Sequence, residues 1–191
     1  FLPMKMYFYY GVMGSSKTAN VLMKKFDFEE HGRKTLLLKP SIDDRDGRSI
    51  VKSRAGLSSE AVILEKDARV MDTIKKFLPL DVILVDEVQF LTKSQVLELR
   101  ELVNNGVMVM CYGLKTDYMG NLFEGSATLL AVADTIREIP SMCVCGRKAI
   151  VNARFKNGKI IYSGNQIDIG GDDKYKALCY QCWSNGNISE F

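Results

Sequence analysis

At 191 residues, with 47% hydrophobic and 26% charged side chains, the chain has room for one full core and a small appendage, in the ordinary balance of a globular protein. Its net charge of +3 is slight and its basic residues form no dominant tract, which argues against polymeric nucleic acid as a partner and against a membrane-surface role. No stretch reaches the roughly 18 apolar residues of a membrane span, and FLPMKMYFYY lacks the basic start and small-residue cleavage site of a signal peptide. A cytoplasmic location is therefore expected, with Met4 or Met6 as the natural start.

Strand and helix patterns alternate over residues 1–140. KMYFYY (5–10) is short, aromatic and followed at once by Gly11, so it predicts a buried strand. Residues 18–32 carry Val21, Leu22, Phe26 and Phe28 at mostly helical spacing and end on His31-Gly32, a stop signal. KTLLLK (34–39) predicts a second strand, and the polar run after it reads as one long loop. AVIL (61–64) predicts a strand, 67–78 a helix, and DVILVDEVQF (81–90) an apolar strand ending in Asp86-Glu87. A helix over 92–105, a strand over 107–112 and a helix over 126–134 complete the pattern of a parallel sheet flanked by helices. From 141 to 191 the texture changes to paired thiols, short β-like runs and turns, with Asn157-Gly158 as a hairpin signal, which predicts a second, all-β unit held by metal.

Three groups of residues carry chemistry. Gly11, Val12, Met13, Gly14, Ser15, Ser16, Lys17 and Thr18 follow the frame G-x-x-x-x-G-K-[ST] with serine in place of the second glycine. In such a loop the backbone amides and the following helix bind phosphates, the lysine reaches the β/γ oxygens and the hydroxyl holds Mg²⁺. The same letters also fit a turn with a helix cap. If position 16 needs φ > 0, its Cβ costs about 1–3 kcal/mol of local strain. Asp86, at the end of an apolar strand, is where a phosphate-loop enzyme brings a carboxylate to Mg²⁺, and Glu87 beside it is a candidate general base; a solvated acidic pair is the plainer alternative. Cys143, Cys145, Cys179 and Cys182 form C-x-C and C-x-x-C pairs that can close a tetrahedral structural Zn²⁺ site, with disulfides or unrelated thiols as the alternatives. His31 reads as a helix-end partner, and Cys111 and Trp183 as packing residues.

GVMGSSKT, IDDR, LVDEVQF, CYGLKTDYMGNLFEGS, the C-x-C pair, NARF, IGGDDKY and the final C-x-x-C, in that order, closely resemble the thymidine kinases of animal cytosol and many bacteria. The resemblance implies a RecA-like P-loop domain over 1–140, a zinc-bearing lasso domain over 141–191, and transfer of the γ-phosphoryl group of ATP to the 5′-hydroxyl of thymidine and deoxyuridine. It implies that Gly11 to Thr18 hold the triphosphate, Thr18 and Asp86 the Mg²⁺, and that Asp43, Arg45 and Gln89 belong to the phosphate-donor side, with Glu87 as base. It further implies a nucleoside pocket of Phe90, Leu114 and Tyr118, closed by Gln166, Ile167, Asp168, Ile169 and Gly170, with Tyr175 at the sugar. Asn152 stands where some relatives have threonine near the thymine methyl. A homotetramer and feedback inhibition by dTTP are also implied. The sequence also admits two rival readings: a catalytically impaired thymidine or dTTP sensor, motivated by Ser16, and a zinc-ribbon nucleic-acid module joined to an ATPase, disfavoured by the mild charge.

Overall fold

Met6 and Phe8 are fully buried on one side of the first strand, while Tyr7 and Tyr9 stack toward the other. A strand packed on both faces belongs inside a sheet covered on both sides. The structure, a computed structural model, describes residues 4–42, 49–167 and 174–186. Its first half comprises β1 (Met6–Tyr10), α1 (Lys17–Glu30), β2 (Thr35–Pro40), β3 (Ile50–Lys52), β4 (Ser58–Glu60), β5 (Val62–Leu64), α2 (Val70–Ile74) and β6 (Val82–Val85). There follow α3 (Lys93–Asn104), β7 (Met108–Gly113), α4 (Glu124–Val132), β8 (Thr135–Glu138), β9 (Val151–Lys156), β10 (Lys159–Ile161), β11 (Lys174–Leu178) and α5 (Tyr180–Asn185).

Six strands form one parallel sheet in the order β5-β2-β6-β7-β1-β8. Side chains alternate across it: Val82 and Leu84 of β6 join the layer under α1 with Val21, Leu22 and Phe28, while Ile83 and Val85 join the layer under α2, α3 and α4 with Ile74, Leu99 and Leu129. The entry to α3 is fixed by a reciprocal capping box, Thr92 Oγ1 accepting from Gln95 N at 3.2 Å and Gln95 Oε1 from Thr92 N at 3.1 Å. β7 alone separates β1 from β6, so the loop after β1 and the carboxylates after β6 emerge side by side at the C-terminal edge, where open α/β sheets bind ligands.

A second sheet, β10-β9-β11, is antiparallel, and its hairpin turns at Asn157 and Gly158 with φ of 53° and 75°, the backbone of a type I′ turn. Its apolar cluster, including Val151, Ala153, Leu178 and Trp183, also takes in Val12 from the loop after β1.

Several local expectations change. The apolar run 81–90 is not one strand: β6 stops at Val85, Glu87 takes φ 54°, and Val88–Phe90 is a 3₁₀ turn. The helix expected over 67–78 is cut to α2 and a short 3₁₀ turn, Lys75–Phe77, before Pro79. The long polar loop contains the small antiparallel pair β3-β4, and TIRE, too polar to read as a strand, is the edge strand β8. The C-terminal unit is β-rich rather than all β, because α5 follows Cys179. His31 ends α1 with Nδ1 2.8 Å from Asp27 O, and Cys111 is wholly buried in β7, both as expected. Among the described residues no helix is long and apolar enough to cross a membrane.

Candidate active site

The chain leaves β1 at Gly11, where glycine is required: a Cβ would lie 2.4 Å from Ser15 Oγ and 2.6 Å from Ile139 O. The loop closes on itself through Ser15 N donating to Val12 O at 3.2 Å, and Lys17 Nζ donates to Val12 O at 2.7 Å and Ser15 Oγ at 3.2 Å. Gly14 and Ser16 both have left-handed backbones, φ 78° and 66°. Position 16 therefore does demand positive φ, and Ser16 carries a Cβ where glycine would be relaxed, at about 1–2 kcal/mol. Ser16 is the N-cap of α1 but its hydroxyl makes no capping bond.

Across β7 from this loop, Asp86 is 4% exposed and accepts from Thr18 Oγ1 at 3.0 Å and from Glu87 N at 3.0 Å. Burial, reinforced by the neighbouring Glu87, pushes its carboxyl up to about 7, against the pull of Thr18, the Glu87 amide and Lys17. A hydroxyl and a buried carboxylate converging beside a phosphate-type loop are hard oxygen donors of the kind Mg²⁺ takes, and the upward shift marks a carboxylate whose charge burial disfavours until a cation compensates it. The residues fit Mg²⁺.

Glu87, next in sequence, has a left-handed backbone with φ 54°. Gln89 Nε2 donates to Glu87 Oε2 at 2.5 Å, and Gln89 Oε1 accepts from Leu114 N at 3.0 Å. Gln89 thus engages Glu87 and the segment after β7.

Phe90, Leu114 and Tyr118 are the residues expected to wall the nucleoside. Phe90 meets Phe123 edge to face at 5.9 Å, Leu114 and Tyr118 are buried, and Arg154 lies over the Tyr118 ring at 5.0 Å. Tyr118 donates its hydroxyl to Asn165 O at 2.9 Å. Gln166 Nε2 reaches Asp117 Oδ2 at 2.8 Å, while Asp117 Oδ1 accepts from the backbones of Met119 and Asn121. Ile167 is exposed. Asn152, buried on β9, accepts from Met13 N at 2.7 Å and so ties the small sheet to the loop after Gly11. Tyr175 pairs with Arg154 across the strands, and opposite residues share a face, which puts it on the side bearing Asn152 and Arg154. Asp43, Arg45, Asp168, Ile169 and Gly170 lie outside the described residues. Asp117, Phe123 and Arg154, which bond to or pack on residues expected at the site, were not singled out in the sequence. Their only signal was proximity in sequence to residues that were, within KTDYMGNLF and NARF.

The four cysteines of the C-terminal unit converge as the spacing predicts, with all sulfurs within 4.8 Å of one another and Cys145 Sγ 3.6 Å from Cys179 Sγ. A tetrahedral site with Zn–S bonds of about 2.3 Å has sulfur–sulfur edges of about 3.8 Å, so the cluster fits such an ion. Tight turns present the sulfurs: Gly146 N donates to Cys143 O at 2.9 Å, and Cys182 N donates to Cys179 Sγ at 3.4 Å. The convergence of four sulfurs on one point, rather than in two separate bonded pairs, favours a shared ion over the disulfide alternative.

A phosphate-type loop after a buried strand, a Thr–Asp pair reached across one intervening strand, and a second carboxylate held by a buried glutamine define a P-loop phosphotransferase. The family model for thymidine kinase matches residues 4–183. The thymidine kinase of Zymomonas mobilis is 44% identical over 180 residues, covering 92% of this chain and 93% of the relative. Those of Pasteurella multocida and Vibrio cholerae are each 43% identical, covering 92% and 93% of this chain and 94% and 95% of the relatives. The chain belongs to the thymidine kinase family. The impaired-sensor reading finds no support among these relatives.

Proposed function

We propose that the protein transfers the γ-phosphoryl group of ATP to the 5′-hydroxyl of thymidine, with deoxyuridine as a second acceptor, and that Glu87 is the general base. The observation that carries this reading is the convergence of the Gly11–Thr18 loop, Asp86 and the Glu87–Gln89 pair at one edge of the sheet, in a chain of this family. The loop amides and the start of α1 receive triphosphate oxygens, and Lys17 exchanges its bonds to Val12 and Ser15 for β/γ oxygens. Thr18 and Asp86 hold Mg²⁺, which when bound neutralises charge on those oxygens. Asp43 and Arg45 complete the donor side.

Phe90, Leu114 and Tyr118 bound the nucleoside, residues 166–170 grip the base, and Tyr175 reaches the sugar. Glu87 then needs only hydrogen-bond reach of the 5′-hydroxyl to accept its proton as the oxygen attacks the γ-phosphorus in line and the bond from that phosphorus to the bridging oxygen breaks, releasing ADP. Residues 1–140 act as the nucleotide-binding domain and 141–191 as the lasso domain, with Zn²⁺ in a purely structural role, since four sulfur ligands leave it no open position. Four thiols clustered for a metal fit a cytoplasmic location. A homotetramer and inhibition by dTTP, which combines the thymidine and triphosphate groups of the two substrates, complete the reading.

The test is Glu87→Gln. Turnover should fall by about 10²–10⁴-fold while ATP binding persists, as expected for loss of a positioned base. Near-parental turnover removes Glu87 from that role.

A further inference from the structure

We propose that Gln89 is a positioning residue that sets the Glu87 carboxylate, rather than a ligand of the phosphates. The claim rests on the reading of Glu87 as general base. A side-chain amide has two chemically distinct ends, and here the surrounding backbone decides which faces where. Leu114 N can only donate, so the Gln89 atom 3.0 Å from it is the carbonyl oxygen, and the NH₂ group is left pointing at Glu87 Oε2, 2.5 Å away. Gln89 is 3% exposed, so rotating the amide would bury two facing donors without compensation.

Leu114 is itself held from the opposite side. The fully buried Ser126 hydroxyl donates to Leu114 O, which anchors the segment to α4. The close approach depends on two missing side chains. A Cβ on Gly113 would fall 2.4 Å from Gln89 Oε1, and one on Gly125 would fall 2.3 Å from Val88 O. The 3₁₀ turn carrying Gln89 therefore packs closely against both β7 and α4, at approaches that only glycine permits. Glu87 enters that turn with φ 54°, a backbone that a non-glycine residue keeps only when its surroundings over-determine it. Both the backbone and one carboxylate oxygen of Glu87 are thus fixed before substrate arrives, which is the condition for efficient proton acceptance.

The experiment is a double-mutant cycle on the full-length, metal-loaded protein, reading kcat, KM for thymidine, KM for ATP and unfolding temperature. Gln89→Met removes both amide ends. Gln89→Glu keeps an acceptor for Leu114 N, and so keeps the fold, but replaces the donor to Glu87 with a second carboxylate oxygen. Both should lower kcat about 10-fold or more and leave KM for ATP within about twofold, and in the Glu87→Gln background Gln89→Met should cost less than about twofold further. A rise in KM for ATP at unchanged kcat, or a full multiplicative loss in the double variant, overturns the positioning role while Glu87 stands as base. Near-parental kcat for Glu87→Gln alone overturns the base reading and the proposal with it.

Discussion

Ser16 and Asp86 show how single residues set both stability and chemistry at this site. Ser16 occupies a left-handed position without a capping bond, so its Cβ brings strain and no compensating contact at the helix end. Ser16→Gly should raise stability by about 0.5–1 kcal/mol in urea unfolding, the relieved strain of about 1–2 kcal/mol being partly offset by glycine's larger unfolded-state entropy. A loss of stability would show that the serine side chain is used. Asp86 is the opposite case, a carboxyl whose folded pKa of about 7 lies above its ordinary 3.8. A raised folded value means stability that is present below about pH 3.8 and is lost as pH rises through about 7. Nucleotide-free Asp86→Asn should therefore unfold at a higher temperature than the parent at pH 8, with the gap shrinking by pH 5, while losing Mg²⁺-dependent turnover. An equal gap at both pH values would show that Asp86 does not titrate in this range.

At the scale of elements, the site is a set of short segments held by side chains that bind backbone. Asp117 is 3% exposed and gathers the turn at Met119 and Asn121 with one oxygen and Gln166 with the other. Asp117→Asn keeps an acceptor for the turn but sets an NH₂ group against the Gln166 NH₂. Steady-state kinetics should show KM for thymidine raised about 10-fold, the scale of one lost buried hydrogen bond, with KM for ATP unchanged. Equal rises in both constants would mean that the contact supports the fold and not the nucleoside side. These contacts explain which features were legible in the sequence. The loop, Asp86-Glu87 and the thiol pairs were legible because each is contiguous or regularly spaced. The break of 81–90 after β6 was not, since apolar Val88 and Phe90 continue the strand pattern while the backbone of Glu87 reverses it. The links Asn152 to Met13 and Asp117 to Gln166 were hidden because they join residues far apart in the chain, and a buried amide or carboxylate carries no local signal of its partner.

For the molecule as a whole, the two sheets meet at the phosphate-type loop. Val12 packs into the core of the small sheet and Asn152 bonds the Met13 amide, so the zinc-type unit rests on the same residues that would hold the triphosphate. This arrangement accounts for one chain carrying a nucleotide-binding sheet and a metal-ready hairpin unit, and it predicts that donor and acceptor are handled together. The most direct measurement is release of ADP by the purified protein with ATP and Mg²⁺, in the presence and absence of thymidine, with the product identified by phosphorus NMR. ADP release should require thymidine, proceed at about 1–100 s⁻¹, and yield a phosphate ester on the 5′-oxygen. ADP release that is indifferent to thymidine and yields inorganic phosphate would contradict the assignment.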